Sequence, residues 1–353
     1  MRPCRRRTRS TRRRSRRASI IGAAAGIGPA AAERGAALER RSTPARRRQA
    51  RRRVLTALLF LSPWIVGFLV FTAYPMAASL YFSFTSFDIL STPSWVGLKN
   101  YEFMFGKDPF FWLAVRNTVW IIVFGVPLRI LLAVATAWLL TRPRRGVKVY
   151  RTLFFLPTMA PAVAASLSFV YLFNPEIGPM NLLIRAFGVE NPPLWFFSPG
   201  WAKPALLLLI LWGMGDTMIV FLAGLLDVPR QLYEAADIEG ATGWQKFRWV
   251  TVPMISPVVF FSLVTGIIGG FQFFTQAYVA SGQVSGSASV APGAPQGALL
   301  FYSVHLYEMG FQFFKMGYAA ALAWILLVIT LICTVVILRT SRRWVHYQGA
   351  AFR

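Results

Sequence analysis

The sequence predicts an all-α integral membrane protein with six transmembrane helices. Three observations point to this fold class. Hydrophobic residues make up 56% of the 353 residues and charged residues only 14%, whereas a soluble domain carries roughly 25% charged residues. The apolar residues gather in six runs, each long enough for the roughly 20 helical residues that cross a bilayer. The loops between the runs are alternately rich and poor in Lys and Arg, which is typical of multi-pass membrane proteins.

Most of the net charge of +25 lies in an N-terminal tail. Residues 1–53 contain 19 Arg and 2 Glu, a local charge of +17, and the other 300 residues hold the remaining +8. The interpretation as a nucleic-acid-binding protein would depend on this tail alone, so we predict no nucleic-acid partner. We interpret residues 1–53 as a disordered, solvated tail. Two other interpretations are a start codon placed too far upstream and binding to anionic lipid headgroups.

The membrane domain is predicted to occupy residues 54–343, followed by a short tail at 344–353. Its six spans are expected at about 54–74, 117–140, 152–173, 204–226, 253–279 and 317–338. The uncharged stretch of the first span continues to Phe87, which is longer than one crossing needs. The segment at about 281–296 is rich in Gly, Ser and Pro and is predicted to be a flexible loop.

The distribution of basic residues predicts where the termini lie. An even number of crossings puts both termini on one side, together with the loop between spans two and three. The basic residues of that loop and of the C-terminus are Arg142, Arg144, Arg145, Lys148, Arg151, Arg339, Arg342 and Arg343. Because basic loops stay in the cytoplasm, both termini are predicted to be cytoplasmic. Residues 227–252, between spans four and five, then form a cytoplasmic loop.

Motifs for catalysis and cofactor binding are missing from the sequence. Cys4 and Cys333 are too few for a disulfide framework, and His305 and His346 are too few and too distant for a metal cluster. No GxxxxGK[ST], HExxH or GxSxG motif occurs. We therefore predict a chain that is not an enzyme, with no catalytic residue, no metal site and no cofactor of its own.

The cytoplasmic loop 227–252 is unlike an ordinary connector. The stretch from Glu234 to Glu239 favours a helix, and Gly240 is suited to ending it. Apolar residues then recur at three-residue spacing, at Trp244, Phe247 and Val250. Pro253 is suited to starting the next helix. An amphipathic helix outside the lipid must bury its apolar face, either on a partner or on the span ends of this chain.

The same loop resembles the EAA loop of binding-protein-dependent permeases. Glu234, Ala235, Ala236, Gly240 and Pro253 match that pattern, and Glu239 stands where relatives usually have Asp. Several further motifs resemble the carbohydrate branch of the family, the maltose and glycerol-phosphate type. They include VGLKNY at 96–101, RNT at 116–118, RTLFFLP at 151–157, LFNPEIG at 172–178 and MGYAAALAW at 316–324. The resemblance covers about residues 54–343 and implies the type I architecture of an ABC importer permease.

The resemblance implies a function and a set of partners. The chain would be the permease subunit of an ATP-driven importer in a bacterial plasma membrane, forming half of the translocation path for a sugar or sugar-like solute. Its partners would be a second permease (the same or a different chain), an ATPase dimer that holds ATP and Mg²⁺, and an extracytoplasmic solute-binding protein. The EAA loop would couple the path to the ATPase. The implied coupling residues are Glu234, Ala235, Ala236, Glu239, Gly240, Trp244 and Phe247.

Polar residues within the apolar runs are the candidates for the substrate path. The resemblance suggests Thr158, Leu209, Gly213 and Gln272, and the segment FQFFTQAY adds Thr275 and Gln276. Polar groups beside flat apolar surfaces suit a sugar, although polar residues also pack helices together in membrane bundles.

Two charges, Arg129 and Asp216, interrupt apolar runs, at depths of about 20 Å and about 16 Å from the cytoplasmic edge. They are expected to pair with each other or with the partner permease, or to face a wet cavity separately. A stand-alone secondary transporter or channel would accommodate six spans and such a pair. It would leave the EAA loop unexplained.

Overall fold

The computed structural model describes residues 43–142, 145–285 and 293–346. The tail up to residue 42 and most of the predicted C-terminal tail, from residue 347, lie outside the described residues. The chain divides into two compact units, one ending at Ala77 and the other starting at Ala78, and each is described by itself.

The described part of the first unit, Thr43 to Ala77, is helical. Helix α1 (Thr43–Phe68) is followed by a five-residue π-turn (Leu69–Ala73) and by α2 (Tyr74–Ser83), whose last six residues belong to the second unit. The predicted disorder of the tail is wrong from residue 43, because Ala, Arg and Gln, which dominate residues 45–53, are strong helix formers. The apolar part, Leu55–Ser83, has 29 residues and is longer than one crossing needs, as the sequence predicts.

After α2, the second unit departs briefly from an all-helical chain. The two-residue strands β1 (Thr85–Ser86) and β2 (Ser94–Trp95) pair in antiparallel fashion. Helix α3 (Lys99–Gly106) follows and leads to the second span.

The second span is one continuous helix from Phe111 to Thr141. It consists of α4 (Phe111–Trp120), a π-turn (Ile121–Gly125) and α5 (Val126–Thr141). It begins six residues before the predicted start at residue 117.

The third span is broken. Helix α6 (Val147–Phe155) passes into a 3-10 turn (Leu156–Met159), and α7 (Ala162–Leu172) then leaves at an angle of 98°. Pro157 and Pro161 lie at this break, where a missing N–H and a fixed φ prevent a continuous helix.

The fourth span is bent less strongly. Helix α8 (Pro179–Ala186) and a 3-10 turn (Trp195–Phe197) precede it. The span itself is α9 (Pro199–Trp212) followed by α10 (Gly215–Leu226), with a bend of 48° at residues 213–214.

A helical elbow links spans four and five, where the sequence predicts helix, turn and helix. Helix α11 (Arg230–Ile238) is followed by α12 (Gly243–Lys246), a π-turn (Phe247–Thr251) and the short α13 (Val252–Met254). These four segments are called the elbow below.

The fifth span is α14 (Ser256–Phe271) and α15 (Thr275–Ser285), interrupted at residues 272–274. The assignment of its start to Pro253 is wrong. Pro253 lies in the short α13, and the long helix begins three residues later with Pro257 in its first turn, a position where proline needs no N–H partner.

The remaining chain contains α16 (Tyr302–Tyr307), a π-turn (Glu308–Gln312) and the sixth span, α17 (Met316–Ser341). The flexible loop predicted at 281–296 is helical as far as Ser285, and residues 286–292 lie outside the described residues.

By length and composition, four helices of the described chain are able to cross a membrane. They are Leu55–Ser83, Phe111–Thr141, Ser256–Val284 and Met316–Ser341. The two bent pairs of spans three and four raise the number to six if each pair makes one crossing.

Side chains of the second span hold the loop that precedes α16. Asn117 is fully buried, and its Nδ2 donates to the carbonyl oxygens of Gly297 and Leu300, at 2.8 Å each. Thr118 Oγ1 accepts a hydrogen bond from the backbone N–H of Tyr302 at 2.9 Å. The RNT motif thus satisfies backbone groups that are far away in the sequence, which buried loops require.

Candidate functional site

A cavity of about 610 Å³ lies where three spans are broken. It is lined by the proline break of span three, by the bend of span four at Gly213 and by the interruption of span five at residues 272–274. Non-helical backbone at membrane depth is tolerated where it is buried in protein or lines a water-filled cavity, because its free polar groups need partners. The convergence of three breaks therefore gives this cavity polar backbone groups in its wall.

All eight candidate residues within the spans line this one cavity. They are Arg129, Thr158, Leu209, Gly213, Asp216, Gln272, Thr275 and Gln276. Leu209 is buried, and the hydroxyl of Thr158 donates to the carbonyl of Phe155 at 2.7 Å. The side-chain amides of Gln272 and Gln276 make no hydrogen bond within residues 43–142, 145–285 and 293–346, so they are available to a solute.

The structure pairs the two intramembrane charges. Nη2 of Arg129 lies 2.6 Å from Oδ1 of Asp216 and 3.3 Å from the carbonyl oxygen of Gly213. The same Oδ1 accepts from the N–H of Thr217 at 2.5 Å and from its hydroxyl at 3.1 Å. A charge in the membrane interior is costly unless it is paired or faces water, and this pair satisfies both conditions.

Several residues that line the cavity are missing from the sequence-based candidates. They are Trp212, Thr217, Phe261, Ser262 and Thr265. Trp212 and Phe273 give the wall flat apolar surfaces beside the free amides. No signal in the sequence identifies them, because an apolar span shows no periodicity that tells its cavity face from its lipid face.

Spans three and four approach most closely at Gly215, which starts α10. A Cβ at residue 215 would press against the carbonyl oxygen of Phe154 and would lie 2.8 Å from Cα of Phe155 and 3.0 Å from Cγ2 of Thr158. Only glycine permits this backbone-to-backbone contact, which fixes two of the broken spans beside the cavity.

Two capping motifs define the turn within the elbow. Gly240 has φ +75°. The N–H of Gly240 donates to the carbonyl of Asp237 and the N–H of Ala241 to that of Ala236, which are the two hydrogen bonds of a Schellman motif. Gly240 therefore ends α11, as its sequence position predicts. Thr242 then starts α12 with a reciprocal capping box to Gln245.

Two side-chain contacts close the elbow onto itself. Lys246 pairs with Asp237. The hydroxyls of Tyr233 and Thr251 lie 2.8 Å apart, which joins α11 to the turn before span five. These contacts therefore connect α11 with α12 and with the turn at the base of span five.

The implied coupling residues divide into exposed and packed ones. Glu234, Ala235, Glu239 and Gly240 are exposed, and Ala236 is half-buried. Trp244 is 70% exposed and is free to meet a partner.

Phe247 is half-buried and packs against aromatic residues of this chain. Its ring lies 5.6 Å from that of Trp138 on span two, with the ring planes tilted, and Trp244 stacks on it at 5.6 Å. Phe247 therefore contacts span two, and its implied role in coupling stays a prediction. The π-turn that starts at Phe247 is followed by α13 and then by span five.

A second buried polar group lies away from the cavity and joins other loops. Nε2 of His305 and the hydroxyl of Tyr318 both contact Oδ2 of Asp108, at 2.7 and 2.5 Å. Burial raises the pKa of Asp108, but hydrogen bonds from His305 and Tyr318 outweigh it and lower the pKa to about 2. Burial raises the pKa of the nearby Glu308 to about 7, against the attraction of His305 and a hydrogen bond from the N–H of Gly293.

The sequence did not predict this polar group, and His305 was considered only as one of two histidines that are too few and too distant for a metal cluster. Within the described ranges no cluster of three His, Cys, Asp or Glu residues is placed to hold a metal ion. The polar group joins Asp108 of the loop before span two, His305 of α16 and Tyr318 of span six, so it ties these three elements together.

Sequence relatives place the chain among membrane transport proteins. Residues 125–346 match the family described as binding-protein-dependent transport system inner membrane component. The chain is 39% identical over 303 residues to the probable ABC transporter permease protein YesP of Bacillus subtilis (strain 168), covering 86% of this chain and 95% of YesP. It is 33% identical over 277 residues to the lactose transport system permease protein LacF of Rhizobium radiobacter, covering 76% of this chain and 88% of LacF.

The fold is similar to that of a chain in the crystal structure of a bacterial ABC transporter involved in the import of the acidic polysaccharide alginate. The TM-score is 0.69 at 24% sequence identity, and the match covers 84% of this chain and 99% of that chain. The predicted all-α fold with the type I permease architecture is confirmed. The sequence relatives are named as permeases, which are not enzymes. The family match over residues 125–346 and the identity to these permeases show that this chain belongs to the binding-protein-dependent inner membrane components, the permeases of ABC transporters.

Proposed function

We propose that this chain forms half of the translocation path for a sugar or sugar-like solute in an ATP-driven importer. The single observation that carries the proposal is the cavity at which three broken spans converge. In a permease of this family, such a cavity is the natural site for a solute in transit. The name of the lactose permease LacF supports a sugar as the solute class.

The chemistry of the cavity wall suits a polyhydroxylated solute. Gln272 and Gln276 offer free amide donors and acceptors, and Trp212 and Phe273 offer flat apolar faces. Small-molecule sites combine a few placed polar groups with mostly apolar walls. The other half of the path belongs to a second permease, either the same chain or a different one.

The elbow is proposed to couple the path to a separate ATPase dimer, which holds ATP and Mg²⁺. This chain itself would bind no cofactor. Exposed Glu234 and Trp244 are available to the ATPase, whereas Phe247 carries movement of the elbow to span two through Trp138. Buried aromatic residues and charge-assisted contacts dominate such interfaces.

The elbow end of the bundle is proposed to face the cytoplasm, with both termini on that side. The basic end of span two meets the elbow at Phe247, and the N–H of His346 near the C-terminus donates to Ser256 at the start of span five. These segments therefore share one end of the bundle, which carries the basic loops. The opposite end would receive the extracytoplasmic solute-binding protein.

The proposal is tested by purifying the complex through a tag on this chain and measuring ATP-dependent uptake in proteoliposomes. Gly240→Pro removes the turn that ends α11, and Glu234→Lys reverses an exposed charge of the elbow. Each is expected to abolish uptake while the protein remains in the membrane. Glu190→Lys, an equally exposed charge reversal in the turn after α8, is the matched control. Wild-type uptake by either elbow variant, or uptake by the chain without any ATPase, would refute the coupling.

A further inference from the structure

Asp216 presents one unused carboxylate oxygen to the cavity. Its Oδ1 accepts all of its hydrogen bonds, one from Arg129 and two from Thr217. Oδ2 accepts none from any residue of the described ranges, and the side chain is 59% exposed. An ionised carboxylate has room for about four hydrogen bonds, so Oδ2 is open to a donor from the cavity.

Arg129 is the less accessible member of the pair. Its side chain is 32% exposed, and Nη2 is shared between Asp216 and the carbonyl of Gly213. Its Nε is buried and has no hydrogen-bond partner within the described residues. The guanidinium of Arg129 therefore binds the carboxylate and a backbone carbonyl, and Asp216 is the more exposed member of the pair in the cavity.

The carboxylate is held in a fixed orientation. Arg129 and the backbone N–H of Thr217 fix Oδ1, and residue 216 lies in the first turn of the 12-residue α10, where the helix dipole favours a negative charge. Because the acceptor is already fixed, little conformational entropy is lost when a ligand binds to it. Hydrogen bonds to an ionised acceptor are roughly twice as strong as those between neutral groups.

We propose that Asp216 is a specificity-determining residue of the path, where Oδ2 accepts a hydrogen bond from a solute hydroxyl. This inference rests on the proposed function. A neutral sugar offers many hydroxyl donors, and the free amides of Gln272 and Gln276 add contacts on the same wall. An anionic sugar brings its own charge toward an exposed carboxylate and is disfavoured. The path therefore selects neutral polyhydroxylated solutes over acidic ones.

The test measures the preference of the cavity itself, in the complete transporter complex without its solute-binding protein. Saturation-transfer difference NMR reads weak binding of lactose, maltose and cellobiose, and of their aldobionates, in which a carboxylate replaces the reducing aldehyde. Wild-type complex is expected to bind at least one neutral disaccharide more tightly than its aldobionate. Asp216→Asn keeps an oxygen for Arg129 and removes the charge. This variant is expected to weaken the binding of neutral disaccharides about tenfold or more. It should also lower the ratio of the affinity for a neutral disaccharide to that for its aldobionate.

Two further variants separate the possible failures. Asp227→Asn, at the exposed end of α10 outside the cavity, is the matched control and should bind as wild type does. Gly269→Trp fills the cavity, since a Cβ there meets nothing within 4 Å, and should abolish all sugar binding. If Gly269→Trp abolishes binding but Asp216→Asn leaves affinity and ratio unchanged, the role of Asp216 is refuted. If Gly269→Trp also binds normally, the cavity is not the path. A wild-type complex that binds no neutral probe overturns the proposed selectivity.

Discussion

Replacing Gly215 by alanine is expected to destabilise the protein and to disturb the cavity. Ordinary van der Waals contact of a Cβ begins at 3.4 Å, and the new Cβ would lie 2.8 Å from Cα of Phe155 and closer still to the carbonyl oxygen of Phe154. The two backbones must therefore separate by at least 0.6 Å (3.4 − 2.8 Å). Neither side can yield by rotating a side chain, and close-packed interiors transmit such strain.

The expected cost of the Gly215→Ala substitution is about 1–3 kcal/mol, the usual range for overpacking. In a protein of 353 residues, with an unfolding entropy of about 2.1 cal/mol/K per residue, it corresponds to a fall in Tm of about 1–4 °C. The fall is measured by thermal unfolding of the purified protein in detergent. Gly213→Ala, two residues away, is the matched control. Its Cβ would lie no closer than 3.8 Å to the nearest atom, and its φ is −85°. A Gly215→Ala protein as stable as Gly213→Ala would refute the close approach of spans three and four.

Three further predictions concern other contacts. Asn117→Ala leaves two buried carbonyls without their donor and should lower the unfolding free energy by about 2–4 kcal/mol, measured as a loss of Tm. Since burial raises the pKa of Glu308 to about 7, the folded protein holds more protons than the unfolded chain between about pH 4.5 and 7, and its stability falls as pH rises through that window. Glu308→Gln should flatten this fall in Tm measured against pH. Phe247→Ala removes the ring contact with Trp138 and should reduce ATP-driven uptake about tenfold while solute binding persists, whereas Phe187→Ala, at an exposed position, should leave uptake unchanged.

The sequence predicted those features that depend on neighbours along the chain. The fold class follows from hydropathy over windows of about 20 residues, because the cost of burying unpaired backbone groups in lipid forces each apolar run into a helix. The end of α11 follows from Gly240, since a left-handed residue is needed within one turn of the helix end. The break of span three was not predicted, although Pro157 and Pro161 lie at it and give it a local cause.

Local reasoning placed some boundaries a few residues away from where the structure has them. The first span begins at Leu55, as predicted, although its helix begins at Thr43, whereas the fifth span starts at Ser256, three residues after Pro253. Hydropathy marks where a segment enters lipid, whereas helix propensity and backbone hydrogen bonds decide where the helix begins. Contacts between spans are also beyond local reasoning, as the packing of Phe247 against Trp138 shows.

The sequence by itself determined the membrane class, the apolar runs and the turn chemistry of the elbow, because hydropathy, charge bias and capping act between residues close in the chain. Only the tertiary structure decided that Arg129 pairs with Asp216, that Asp108 meets His305 across 197 residues and that three helix breaks meet at one cavity. An apolar span is hydrophobic on every side, so its sequence does not record which face turns toward lipid, a neighbouring helix or the cavity. That choice depends on packing among all the spans at once.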